Sequence, residues 1–293
     1  MRLVVCLTFL LSVSAFVGAE TPAASDLPEI VQWYQQHYVF ATNKDSIYTF
    51  KSEFEQPEGY FLPDSSHQSA FQNWVANFPL WHRWRGIGNW KGRKVKEAEE
   101  ITRGVHLTWR GRRFRDCAIP VRILGEFAHY EKTYGTFAVT VKPGVELSYN
   151  DWLKSKLVYD ARSKPIFQPS EERPHSEKDF YSFLAKCMEN STYASLAMNC
   201  DSLAVEDLLP GDLIIGHDSS GLTGETYVIM RTLVDRDGRK LFTVATGCAD
   251  ACDFHIPLLG NDRDKPYIDT DRLETLAADW PYRGYFRARQ FSE

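Results

Sequence analysis

The chain has 293 residues with 14% aromatic and 43% hydrophobic content, enough apolar material for one large domain or two small ones. Its net charge is -5, so nothing drives it toward nucleic acid in general. No GxGxxG, Walker loop, HExxH or GxSxG occurs, which argues against a nucleotide-binding fold, the common zincins and the common serine hydrolases, and no cofactor motif is present.

The chain opens with MRLVVCLTFLLSVSAFVGAE. Arg2 forms a positive n-region, Leu3 to Val13 an apolar h-region, and Val17 and Ala19 the small residues before a cut ahead of Glu20. Residues 1–19 therefore read as a secretory signal peptide, too short for a membrane span, and predict a secreted or periplasmic protein. No other stretch is apolar enough to cross a bilayer. Residues 20–53 read as an N-terminal helical extension, in which Asp26 caps a helix that carries Ile30, Trp33, Tyr34 and His37 at helical spacing. Residues 54–293 read as a single α+β domain.

In that domain "QSAFQNWVANFPL" is an amphipathic helix, with Phe71, Trp74, Val75 and Phe78 on one face and Pro79 as its stop. Basic residues then cluster from His82 to Arg115. They read as a solvated face, or as a grip on an anionic envelope polymer with Trp81, Trp84 and Trp90 lining a groove. Ile101 to Trp109 alternates like a half-buried strand. "RDCAIPVRILGEFAHY" follows as a helix. Asp116 fits its N-cap, Cys117 its first turn, and Pro120 is tolerated there because no internal N–H bond is lost. "GTFAVTV" is a short strand, and "RSKPIFQPSEERPHSEKD" reads as a flexible loop. Ser176 opens a helix through Phe180, Phe183, Leu184 and Cys187. Asn190-Ser191-Thr192 then fits an N-glycosylation pattern, and a short helix runs from Tyr193 to Met198. "LLPGDLIIG", "ETYVIMRTLVD" and "KLFTVATG" form an antiparallel meander, its last two strands joined at Asp237-Gly238, and Asp212 ties down its own turn. "DTDRLETLAADW" is a late helix and "GYFRARQF" a closing strand.

Five cysteines remain after export: Cys117, Cys187, Cys200, Cys248 and Cys252. An oxidising compartment favours pairing, and order along the chain suggests Cys187 with Cys200 and Cys248 with Cys252. Spacing alone does not fix that connectivity. Cys248, Cys252 and His255 are metal ligands by type, but a further ligand and a recognisable spacing are missing.

Cys117 has two readings. A thiol at a helix N-terminus, served by a histidine on a facing strand, is the nucleophile of a cysteine hydrolase. A free cysteine is equally a small buried apolar residue. Six stretches resemble, in order, a family of uncharacterised exported bacterial proteins, a domain of unknown function family of about this length. They are "QPEGY", "NWVANFPL", "RDCAIPVRILGEFAHY", "LPGDLII", "GETYVIM" and "ATGCADACDFHI". The family pattern at these places is "PxGY", "WLxxLPL", "QCADAxxRLxAEY", "PGD", "GHAVIV" and "AQSYMPAQxIH". The meander also resembles that of NlpC-type, papain-like cell-wall peptidases, and so implies a papain-like core in which a helix bearing the cysteine packs on a small antiparallel sheet or half-barrel, with extra N-terminal helices.

The resemblance gives Cys117 the helix-start cysteine and His255 the later histidine. Thr246 takes the place of the family glutamine, an orienting position. The "GHAVIV" histidine falls on Glu225, or on Thr226 if the register slips by one. Neither is an imidazole, so the proton shuttle passes to His217 or His255. Glu225 as a base would raise the thiol pKa and work against the thiolate. The resemblance thus implies a secreted papain-like cysteine hydrolase, active or degenerate, that cuts or binds peptidoglycan or other envelope peptides. The alternative reading is a non-catalytic envelope- or glycan-binding module stapled by disulfides. A redox-active thiol protein is a weaker third reading, because no CxxC is present.

Overall fold

The computed structural model describes residues 48–64, 68–107, 115–260 and 262–291. The segment read as a signal peptide, the helix expected after Asp26, and Trp109 lie outside these residues. In chain order the elements are α1 (Phe50–Glu53), β1 (Tyr60–Phe61), α2 (Ala70–Ala76), β2 (Ile87–Gly88), β3 (Lys94–Lys96), β4 (Ile101–Gly104), α3 (Ile119–Tyr130), β5 (Ala138–Lys142), β6 (Val145–Ser148), α4 (Tyr149–Lys154), β7 (Ser155–Tyr159) and β8 (Pro165–Pro169). They continue with α5 (Glu177–Asn190), α6 (Tyr193–Ala197), β9 (Cys200–Leu203), β10 (Leu213–His217), β11 (Gly224–Asp235), β12 (Lys240–Thr246), β13 (His255–Pro257), β14 (Ile268–Asp269), α7 (Thr270–Glu274) and β15 (Tyr282–Ala288). The architecture is α+β.

One sheet organises the molecule. Its strands run β4-β13-β12-β11-β10-β15-β9, every neighbour antiparallel, with β1 added to β11 and β14 to β12. The β10–β11–β12 meander is antiparallel as expected, with its β11–β12 turn at Asp237-Gly238. Gly238 sits at φ +83, the left-handed conformation that glycine adopts freely, and the Asp235 carboxylate accepts from the Asp237 and Arg239 N–H groups at 2.9 and 2.8 Å. Asp212 accepts from Leu209 N–H in its own turn at 2.7 Å, and also takes a two-pronged bond from Arg287 on β15 at 2.8 and 2.7 Å.

Strand periodicity sorts side chains onto two faces. Leu213, Ile215, Val228 and Ala245 face α2, α3 and α5 in the main core, with Cys117, Phe127, Phe180 and Phe183. Ile214, Ile229, Phe242 and Val244 face the opposite way, under Leu273, Leu276 and Ala277 from the α7 region. α2 begins with a capping box between Ser69 and Gln72 and buries Phe71, Trp74 and Val75 as its spacing predicts. α3 packs on α5 at Gly125, where a Cβ would stand 2.5 Å from Leu184 Cδ1. The buried Arg122 and Glu126, one turn apart on α3, form an ion pair, and Tyr181 Oη on α5 donates to Glu126 at 2.9 Å.

Three sequence expectations are corrected here. The stretch read as a flexible loop contains β8, which pairs with β7 from Ser155↔Pro169 to Tyr159↔Pro165. Its prolines fall at the two ends of a two-stranded hairpin, where they interrupt no central ladder. Asp116 is not the N-cap of its helix. Ala118 holds that position for α3, and Asp116, Cys117 and Ala118 form a 3-10 turn, itself preceded by Arg115 as cap, that leads into α3. Cys187 and Cys200 are not paired. Both are free and buried, Cys187 inside α5 and Cys200 at the start of β9, where its thiol meets Leu196 O at 3.4 Å. The pairing of Cys248 with Cys252 is as expected.

Candidate functional site

The start of α3 is pressed against the sheet. Gly247 just after β12 lets it come close, since a Cβ there would meet Ile119 Cδ1 at 2.5 Å and Asp116 Cα at 3.2 Å. The Cys248–Cys252 disulfide closes the loop that follows. Arg115 bridges to Cys248, and Asp116 N–H donates to Cys248 O at 3.3 Å.

Cys117 sits in this turn, but its side chain points into the main core. It is 0% exposed. Its nearest polar partner is the Ser191 carbonyl oxygen, at 4.0 Å. Burial pushes its thiol up to about 12, against the opposing pull of the Arg115 charge. The dipole at the helix start does not offset that desolvation.

Asp116 is the residue that reaches the sheet. Its Oδ1 accepts from Tyr193 Oη at 2.6 Å, and its Oδ2 accepts from Thr226 N–H on β11 at 3.2 Å. It is 4% exposed, and burial raises its pKa against the hydrogen bonds from Tyr193, Cys117 N–H and Thr226 N–H. The Tyr193 phenol is pushed up, first by burial and then by the Asp116 charge. Thr226 shares its face with Val228 and so looks toward the helix, where its hydroxyl is buried without a hydrogen-bond partner among the described residues.

The other four residues singled out in the sequence lie elsewhere. His255 is flanked by Phe254 and Ile256, which both pack in the core with Cys117, so strand alternation turns His255 to the opposite face. It is completely buried. Its Nδ1 lies 3.0 Å from Asp253 O, its Nε2 has no partner among the described residues, and burial lowers its pKa to about 4. Thr246 pairs with His255 in the ladder, and its hydroxyl donates to Thr226 O at 2.7 Å. Glu225 accepts from Tyr227 Oη at 2.7 Å and Trp280 Nε1 at 2.8 Å, again away from α3. His217, at the end of β10, stacks on Tyr282 with ring centroids 5.3 Å apart, and its Nδ1 lies 2.6 Å from Asp218 O. The structure brings Thr246 and His255 together, but neither of them, nor His217 or Glu225, with the Cys117 thiol.

Among the described residues no cluster of three or more acidic, histidine or cysteine side chains is arranged to hold a metal, and Cys248 and Cys252 are spent on each other. No helix among them is long and apolar enough to cross a membrane. Three members of the basic run between His82 and Arg115 pair with the protein's own acids, and Arg110, Arg112 and Arg113 lie outside the described residues. Arg83 pairs with Asp264 at 3.1 Å, Lys94 with Glu97 at 2.7 Å, and Arg103 with Glu53 at 2.9 Å. Of the three tryptophans read as a groove, Trp81 is core, Trp90 is half-buried and Trp84 is 62% exposed.

Sequence reasoning gave Asp116 only a capping role and did not single out Tyr193. The available signal was the acid itself, a carboxylate beside the cysteine where a hydrolase needs an electropositive surround.

The fold and this site describe an α+β protein whose helix start is tied to the middle of an antiparallel sheet by a buried carboxylate. Residues 50–287 match the family model described as domain of unknown function (4846), and the chain belongs to that family. Comparison with curated proteins and with solved structures finds no match.

Proposed function

We propose that this chain is an exported, catalytically silent relative of papain-like cysteine hydrolases, which binds envelope peptide or amide material rather than cutting it. The observation that carries the proposal is the Asp116–Thr226 contact at the helix start, with the neighbouring thiol sealed away. In the pattern "QCADAxxRLxAEY" the cysteine precedes the arginine by six positions and the glutamate by ten. Counting back from Arg122 or from Glu126 reaches Asp116 both times, not Cys117. The buried Arg122–Glu126 pair supports that register, because both ends of the count are fixed in the core. The one-residue slip in "GHAVIV" puts Thr226 in the histidine position, and Thr226 is the residue that meets Asp116. A carboxylate and a hydroxyl then replace thiolate and imidazole. Neither attacks an amide unaided, and it is the carboxylate, accepting from Tyr193 Oη and the Thr226 backbone N–H, that fastens helix to sheet. The Cys248–Cys252 disulfide supports an oxidising compartment.

The test is to install the missing pair. Asp116→Cys with Thr226→His should give a thiol that labels rapidly near neutral pH, while the unaltered chain releases no product from peptide or amide substrates. Amide hydrolysis by the unaltered chain that Cys117→Ala abolishes would defeat the proposal.

A further inference from the structure

The strand β11 carries one residue that its surroundings do not explain. Arg231 stands in the apolar run "YVIMRTLV" at the bulge where pairing with β12 shifts between Ile229 and Arg231. It is only 8% exposed, between fully buried Met230 and Thr232. The other buried arginines are answered by carboxylates, Arg103 by Glu53 and Arg122 by Glu126. Arg231 has neither an ion pair nor a hydrogen bond among the described residues, and its Nε is sealed from solvent with no acceptor. The hydroxyl of Thr243, its cross-strand neighbour, is buried and unpartnered as well. The guanidinium lies over the Phe50 ring at 5.8 Å.

Arg231 lines a cleft of about 680 Å³ together with Glu53, Glu55, Asp264, Lys265 and Tyr267. That volume suits a small molecule. Glu53 is held by Arg103 and Asp264 by Arg83 and Arg103, and among the described residues no ion pair joins Glu55 to Arg231. Burial pushes the Arg231 guanidinium down and the Tyr267 phenol up, and the two groups act on each other electrostatically. A buried unpaired cation is costly, and an incoming anion removes that cost.

We propose that this cleft binds the carboxylate of a small organic acid, an amino acid or the C-terminus of a short peptide, gripped by the Arg231 guanidinium. A planar monoanion matches the guanidinium fork. A phosphate dianion would face Glu53, Glu55 and Asp264 on the same walls. The biological use rests on reading the chain as a binder, but the test is separate, because thiol chemistry reports on Cys117 and ligand titration on Arg231.

The full chain is titrated with N-acetylalanine, N-acetylalaninamide, alanine and inorganic phosphate while the heat-denaturation midpoint is followed. N-acetylalanine or alanine should raise the midpoint saturably, the stronger of the two telling a peptide end from a free amino acid. The amide should have no effect, and phosphate should act far more weakly. Arg231→Met should keep or raise the midpoint without ligand and abolish the response, and Arg231→Lys should weaken binding roughly tenfold. The proposal is overturned by no response from the unaltered chain, an equal response to the amide or to phosphate, or an undiminished response in Arg231→Met.

Discussion

Replacing Asp116 by alanine removes the acceptor for two donors at once. Tyr193 Oη, 2.6 Å from Oδ1, and Thr226 N–H, 3.2 Å from Oδ2, are both buried and would be left without a partner. A stranded buried donor costs about 1–3 kcal/mol, so the pair costs about 2–6 kcal/mol. The carboxylate itself is desolvated, as its raised pKa records, and losing that penalty returns part of the cost. The expected net destabilisation is about 2–4 kcal/mol, a large share of the roughly 5–15 kcal/mol that holds a domain folded. Urea unfolding followed by tryptophan fluorescence measures it. Tyr193→Phe removes one donor along with its bond, so Asp116→Ala with Tyr193→Phe should cost about 1–2 kcal/mol less than the sum of the single changes. Additive costs, or an Asp116→Ala variant as stable as the unaltered chain, would refute the idea that this carboxylate fastens helix to sheet.

Further outcomes follow from the same geometry. Gly247→Ala places a Cβ 2.5 Å from Ile119 Cδ1, and should lower stability by about 1–3 kcal/mol in the same assay. Cys248→Ser with Cys252→Ser opens a loop with sequence separation 4, and should cost about 2 kcal/mol if chain entropy governs the bond. His255 has its folded pKa lowered from 6.5 to about 4, so the unfolded chain binds a proton in that window that the folded chain refuses. Stability should therefore fall as pH drops from about 6.5 to about 4, and His255→Leu should flatten that part of the pH profile of urea midpoints.

The sheet was legible because its strands announce themselves. The apolar runs at Leu213–Ile215, Tyr227–Met230 and Leu241–Ala245 mark its strands, and Asp237-Gly238 marks its turn. The helix faces of α2 and α5 were equally legible from apolar spacing. Parity was the harder matter. His255 reads as a candidate partner for Cys117 in one dimension, and only the ladder from Gly104 through His255 to Thr246 shows which side of the sheet it takes. The start of α3 hid its chemistry for a similar reason. A shift of one residue in a 3-10 turn exchanges the side chain that meets the sheet with the one that enters the core, and both Asp116 and Cys117 are plausible in either role. Cysteine pairing was half legible. Two cysteines in one short loop met, whereas Cys187 and Cys200, on α5 and β9, stayed apart. Arg231 was not singled out from the sequence, and its lack of a partner is a fact of three dimensions.

The most direct measurement is the reactivity of the native thiols toward a small alkylating probe from mildly acidic to neutral pH, with the labelled residues mapped by mass spectrometry. The account predicts that Cys117, Cys187 and Cys200 stay unlabelled until denaturant is added, since burial holds all three thiols in their protonated form. Rapid labelling of Cys117 alone in the folded protein, persisting below pH 7, would contradict it and reinstate a thiolate nucleophile at the head of α3.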